Sequence, residues 1–214
     1  MNDSAIARFV REAVVEPDHI ARARQHALEL GAAPVSPAVG AQCAVIAAAS
    51  GASAIIEVGT GAGVSGLWLL HGAPSAVLTT IDKEPEHLAA ARDAFSFAGV
   101  PAARARTISG RSADVLPRMN EGAYDIVLVD GDPATVMDDI AHALRLARAG
   151  GTVLVPRALA GGRVADPVAR DAHTADMRAL IVETLGATGV IAALSPAAEG
   201  LLQITTTTET RLAR

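Results

Sequence analysis

Residues 54–70 read AIIEVGTGAGVSGLWLL. An acid, Glu57, stands two residues before Gly59, and glycines at 59, 61, 63 and 66 separate an apolar run from the start of an apolar helix. Such a turn brings backbone N–H groups close to a ligand, at a helix end that carries partial positive charge. The segment contains G-x-G-x-x-G as GAGVSG at 61–66, and Asp82 ends the next apolar run, as in a dinucleotide site. The register argues against that ligand. In a dinucleotide site the strand runs straight into the first glycine, here Gly59, and the third glycine then falls on Val64. Glu57 also stands where such a site has an apolar residue. An acid there suits a ligand with a cationic group and no phosphate. S-adenosylmethionine, with its sulfonium and α-ammonium, is one. Glu57 would orient that end, directly or through the turn's N–H groups. Gly59, Gly61 and Gly63 would admit the methionine part, and Asp82 would accept from the ribose hydroxyls. Simpler readings stay open: Glu57 as a strand-end acid paired with a surface cation, and Asp82 as a helix cap before EPEH.

The elements around these residues must position them. Helical patterns cover 3–15, 17–30 and 36–50; the second has Pro and acids early, and the third has Ser36 before Pro37 as a cap signal. Strands and helices then alternate: a strand at 54–59, a helix from about 63, a strand at 77–82, and a helix through EPEHLAAARDAFSFAGV ending at Gly99. A strand at 105–110, a strand at 125–130 and a helix at 134–148 follow, and in RAGGTVLVP paired glycines end that helix before another strand. This rhythm predicts a parallel sheet with right-handed crossovers. GVIAALSP at 189–196 and GLLQITTTTE at 200–209 lie too close for a crossover, so they are expected to pair as an antiparallel hairpin. One domain over 1–214 is expected, with a helical cap at 1–50 and a core at 51–209.

Composition removes several classes. Half the residues are apolar and 19% are charged, which excludes a disordered chain. A net charge of −5 and only 2% aromatic residues argue against a nucleic-acid partner, which wants basic patches and stacking rings. The apolar residues are mostly Ala, Val and Leu, so helices are expected to pack closely through small side chains. Cys43 is the only cysteine and reads as an inert buried thiol. The N-terminus lacks a basic-then-apolar leader pattern, and the longest apolar stretch, around 41–49, is too short for a bilayer. The expectation is a soluble, cytoplasmic protein without a membrane partner.

In order along the chain, EVGTGAGVS, TID, ISGRSADVLP, YDIVLVDGD, RAGGTVLV, GGRVADP and EGLLQI resemble the class I O-methyltransferases of the catechol and caffeoyl-CoA type, over roughly residues 30–205. The resemblance implies a Rossmann-like α/β fold: a parallel seven-stranded sheet, a C-terminal antiparallel hairpin and added N-terminal helices. It implies S-adenosylmethionine as cofactor and a small-molecule methyl acceptor. Val35, Glu57, Gly59, Thr60, Ser65, Asp82, Ser112 and Asp130 then fall where the family contacts the cofactor. Gly61 belongs to the same turn, Ser112 and Ala113 lie along the adenine edge, and Asp132 is a further candidate. The N-terminal helices would cover the acceptor site or form a homodimer contact.

The sequence departs from the family at one place. Metal-dependent members hold a divalent cation with the Asp ending the fourth strand and an Asp-Asn pair ending the fifth, and catechol enzymes place a lysine base three residues past the first Asp. Here the first Asp is Asp130, the lysine position is Pro133, and the pair reads Pro156-Arg157. One carboxylate beside an arginine is a poor site for a hard cation that wants several oxygens, so no metal is expected. Asp138 and Asp139 read as a solvated helix face. Asp130 and Arg157 become the catalytic candidates, with the arginine's charge standing in for the cation. The simpler alternative is an ion pair that fills the vacated place. His173 is a possible base bordering the acceptor site. His19, His26, His71, His87 and His142 show no ligand spacing, Arg163 and Asp166 read as a mutual pair, and Trp68 reads as core. The leading function is methyl transfer from S-adenosylmethionine to a small phenol-type acceptor. The alternatives are a catalytically silent S-adenosylmethionine-binding protein with a regulatory role, a methyltransferase acting on a modified tRNA nucleoside, and an NAD-dependent oxidoreductase.

Overall fold

A computed structural model describes residues 8–10, 12–196 and 199–207. Of the helix predicted over 3–15, residues 3–7 and 11 lie outside the described residues, and 8–10 and 12–13 are helical. Positions 208–209 of the last predicted strand also lie outside them.

Helix α1 (Asp18–Glu29) and helix α2 (Pro37–Ala49) precede the sheet. Ser36 caps α2, its hydroxyl accepting from the Val39 N–H at 3.3 Å, with Pro37 in the first turn. The core then runs β1 (Ala54–Val58), α3 (Val64–Gly72), β2 (Val77–Asp82), α4 (Pro85–Phe97), β3 (Ala105–Ser109), short α5 (Ser112–Val115), β4 (Tyr124–Val129), α6 (Val136–Leu146), β5 (Ala147–Pro156), α7 (Ala172–Gly186), β6 (Val190–Ser195) and β7 (Leu201–Thr206). The sheet order is β3-β2-β1-β4-β5-β7-β6. Strands β1 to β5 pair parallel, and β7 runs antiparallel to both β5 and β6. The seven strands, the parallel core and the terminal hairpin match the expected fold.

Alternation along each strand feeds two cores, because successive side chains leave a strand on opposite faces. Ile55, Leu78, Ile126 and Leu128 pack under α2, α3 and α4. Ile56, Ile81, Val127, Val129 and Val155 pack against α6 and α7 through Ile140, Leu146 and Met177. Covered on both faces, β4 reads as a nearly unbroken apolar run, as parallel strands do. Small residues bring α2 and α3 together. A Cβ on Gly72 would stand 2.0 Å from the Ala44 carbonyl oxygen. Trp68 is core, as expected, with its indole N–H donating to Glu16 at 3.2 Å.

The boundary before β5 differs in kind from its prediction. Helix α6 ends at Leu146, and Gly150 and Gly151 belong to β5. Pairing jumps from Tyr124–Ala147 to Ile126–Thr152, so the glycines form a bulge inside the strand and do not terminate the helix.

Candidate active site

The C-terminal ends of β1, β2 and β4 open on a cavity of about 730 Å³, where ligands bind in open α/β sheets. The turn after β1 forms its floor. Gly59 has φ +89°, and a Cβ there would lie 2.2 Å from the Asp130 carbonyl oxygen, so the turns after β1 and β4 touch only because this residue is glycine. Val35, Gly59, Gly61, Ser65, Asp82, Ser112, Ala113, Asp130 and Asp132 all line this cavity, as does Arg157. Nine residues read from sequence as cofactor contacts are thereby gathered from five separate segments.

Glu57 and Thr60 stand behind the wall, not on it. Alternation puts Glu57 on the Ile55 face of β1, under α3, where it is fully buried. Its two oxygens accept from the Ser65 hydroxyl at 2.5 Å and the Thr80 hydroxyl at 2.6 Å. No Lys or Arg pairs with it among the described residues, so the surface ion-pair reading fails. Burial pushes its carboxyl up to about 7, against the pull of those two hydroxyls. Thr60 Oγ1 lies 2.6 Å from Thr80 Oγ1, which extends the chain of hydroxyls behind the turn.

Asp82 combines two roles. Its Oδ2 accepts from the Gly61 N–H and its Oδ1 from the Glu84 N–H, both at 2.9 Å. The carboxylate thus ties the glycine turn to the start of α4 while still facing the cavity, and Oδ1 keeps a lone pair for a ligand hydroxyl. Helix α4 itself is capped at Glu84, so Asp82 braces the turn without being the cap.

Sequence reasoning missed three groups on the cavity rim. His87, which shows no ligand spacing in the sequence, places Nδ1 3.4 Å from Asp82 Oδ2. Lys83 donates to Asp132 at 3.0 Å, closing one side of the mouth between the turns after β2 and β4. Arg111 lines the same rim. The spacing of His87, five residues after Asp82 in the first turns of a helix, was the available signal.

At the other end of the cavity, Asp130 and Arg157 meet. The guanidinium approaches Asp130 Oδ1 at 2.5 Å, and its other nitrogen donates to the Ala33 carbonyl at 2.6 Å. The Asp130 side chain is 7% exposed. Burial raises its carboxyl pKa and the Arg157 charge opposes that rise. Arg157 takes φ +59°, a left-handed backbone that costs an ordinary residue about 1 kcal/mol. The ion pair that the sequence offered as the simpler alternative is formed, and it borders the cavity.

Beyond this pair lies a second cavity of about 270 Å³ that shares Asp130, Gly131 and Arg157 with the first. Its walls are largely aliphatic, including Pro133, Val136, Val155 and Met177. His173 and Glu199 also line it. The segment 157–171 beside it is pinned by Arg178, which donates to the carbonyls of Arg163, Val164, Asp166 and Ala169. Arg163 pairs with Asp171, not with Asp166 as expected; Asp166 instead accepts from the Val168 N–H at 3.0 Å. Asp171 is free to take the arginine because it caps α7 and faces the loop, accepting from Thr174. Asp139 is also corrected: it is buried on the sheet side of α6 and accepts from the Thr135 hydroxyl at 3.0 Å, while Asp138 is exposed. Burial raises its pKa against the pull of the Ser112 and Thr135 hydroxyls.

A strand-end glycine turn, an acid closing β2 and an antiparallel seventh strand define a class I methyltransferase. The comparisons agree. A family model described as a methyltransferase domain matches residues 56–155. An inferred O-methyltransferase of Mycobacteroides abscessus is 47% identical over 204 residues, covering 94% of each chain. Another of Mycobacterium tuberculosis is 52% identical over 160 residues, covering 74% of this chain and 71% of its own. Among solved structures, the Streptomyces achromogenes O-methyltransferase TomG, of tomaymycin synthesis and in complex with S-adenosylmethionine, superposes with a TM-score of 0.81. It is 27% identical and covers 97% of this chain and 100% of its own. A Corynebacterium glutamicum protein gives a TM-score of 0.86 at 30% identity, covering 96% and 98%. The chain belongs to the S-adenosylmethionine-dependent O-methyltransferases. Among the described residues, no helix is long and apolar enough to cross a membrane.

Proposed function

We propose that this chain methylates a hydroxyl of a small phenol-type acceptor without the divalent cation of its metal-dependent relatives. The observation that carries the reading is Arg157, whose guanidinium lies 2.5 Å from Asp130. The donor set does not fit a hard cation. Pro156 brings no side-chain oxygen, a fixed positive charge adjoins the single carboxylate, and no group of three or more His, Cys, Asp or Glu among the described residues is arranged to hold a metal. No step is therefore assigned to an ion.

The donor set does fit S-adenosylmethionine. Asp82 faces the cavity with acceptor capacity for ribose hydroxyls, and Ser112 and Ala113 offer an adenine edge. Val35, Gly59, Gly61, Ser65, Asp130 and Asp132 line the remainder. Glu57 and Thr60 act from behind, by fixing Ser65 and the turn. When bound, the cofactor supplies a methyl group already activated by the sulfonium, so orientation accounts for much of the rate. Arg157 then steadies the charge that develops on the acceptor oxygen, and Asp130 holds Arg157 in place. The small, aliphatic second cavity suits a single-ring acceptor.

The test is transfer of labelled methyl to a panel of catechols and hydroxybenzoates with EDTA present. Turnover that persists under the chelator is expected. Turnover abolished by EDTA and restored by Mg²⁺ would overturn the metal-free reading.

A further inference from the structure

We infer that His173 Nδ1 receives the proton of the acceptor hydroxyl, an assignment that rests on the proposed function above. Among the described residues, His173 Nδ1 is the buried side-chain nitrogen or oxygen without a hydrogen-bond partner. Leaving such an atom unsatisfied costs about 1–3 kcal/mol, which a ligand hydroxyl would recover. The atom belongs to a residue lining the second cavity, and that cavity meets the cofactor cavity at Asp130, Gly131 and Arg157. A hydroxyl in the second cavity therefore has His173 on one wall and the methyl donor's cavity at the other end.

The local structure holds the ring in place. His173 is the second residue of α7, whose cap Asp171 accepts from the Thr174 N–H at 3.1 Å and is braced by Arg163. The other charged groups facing the cavity are committed or solvated. Asp130, at the end of β4, is paired with Arg157, at the end of β5. Asp171, on the loop before α7, is paired with Arg163 from the preceding loop. Glu199, before β7, is exposed. Pro133, at the position where catechol-type relatives carry lysine, lines the same cavity with no titratable group.

The step balances. The hydroxyl proton moves to Nδ1, an oxygen lone pair forms the O–CH₃ bond, and the methyl–sulfur pair stays on sulfur, which becomes a neutral thioether. The imidazolium gives its proton to water admitted as the products leave.

Two readouts test this on the full chain. The first needs no acceptor: long-range ¹H–¹⁵N spectra of ¹⁵N-histidine-labelled protein, with His173→Asn for assignment and S-adenosylhomocysteine bound. A neutral ring protonated on Nε2, with bare Nδ1, is expected near neutral pH. A proton resident on Nδ1 would overturn the inference. The second is labelled-methyl transfer to catechol and to the more acidic 4-nitrophenol. His173→Asn should lower kcat on catechol about 100-fold or more and lower it less on 4-nitrophenol, with S-adenosylhomocysteine affinity unchanged. Equal losses on both acceptors, or none, would refute a proton-accepting role. Failure of the parent reading looks different: the wild-type chain would not bind S-adenosylhomocysteine. If the wild type binds it but methylates neither phenol, the tautomer alone decides.

Discussion

Replacing Glu57 by Gln should make the protein more resistant to unfolding at high pH, and the size of the gain follows from its surroundings. The carboxyl is fully buried, meets only the Ser65 and Thr80 hydroxyls, and has no cation beside it. Burial moves its pKa from the ordinary 4.5 to about 7, which corresponds to about 3 kcal/mol between the two protonation states. A raised acid pKa means that the folded chain binds an extra proton between those values. Stability from this group is therefore full below about 4.5, falls as pH rises, and levels off above about 7. Glutamine cannot ionise, and its amide can both donate to and accept from the two hydroxyls, so the variant should lack that fall. The other titrating groups are common to both proteins and cancel, apart from Asp130 and Asp82, whose charges act on Glu57. Urea unfolding near the two ends of this window should show the variant gaining about 3 kcal/mol on the wild type as pH rises. Parallel stability profiles would show that Glu57 is not a neutral buried acid and would refute the reasoning.

Three further outcomes are expected. Gly59→Ala should abolish S-adenosylhomocysteine binding in calorimetry, because its Cβ would stand 2.2 Å from the Asp130 carbonyl in a left-handed backbone that alanine avoids. Arg157→Ala should cost about 1–2 kcal/mol in chemical unfolding, between an exposed and a fully buried pair because the guanidinium is 35% exposed. It should also cut methyl transfer at least about tenfold, and undiminished turnover would leave Arg157 a structural filler. The double change Pro156→Asp with Arg157→Asn removes the guanidinium and supplies oxygens beside Asp130, with Asn tolerating the left-handed backbone. It should create calorimetrically detectable Mg²⁺ or Mn²⁺ binding absent from the wild type.

Most of the fold was legible in the chain because its signals are local. Apolar runs of strand length, glycines at turns, and Ser36 before Pro37 act over a few residues, so β2 falls at its predicted bounds and α2 within one residue of them. The glycine turn and Asp82 were legible for the same reason, since strand end, turn and helix start are contiguous. The RAGG segment was misread because its bulge depends on pairing with Tyr124 and Ile126 of the neighbouring strand. Side-chain partnerships across the sheet were likewise decided by tertiary structure. Sheet order sets β1 between β2 and β4, which brings Thr80 to Glu57 from another strand. Parallel β4 and β5 end side by side, so Asp130 meets Arg157 although 27 residues separate them. His173 read as a possible base, but only the packing of α7 beside those strand ends buries its Nδ1. Periodicity records which face of an element is buried; it carries no record of which distant side chain will stand opposite, because that is fixed by strand order and helix docking.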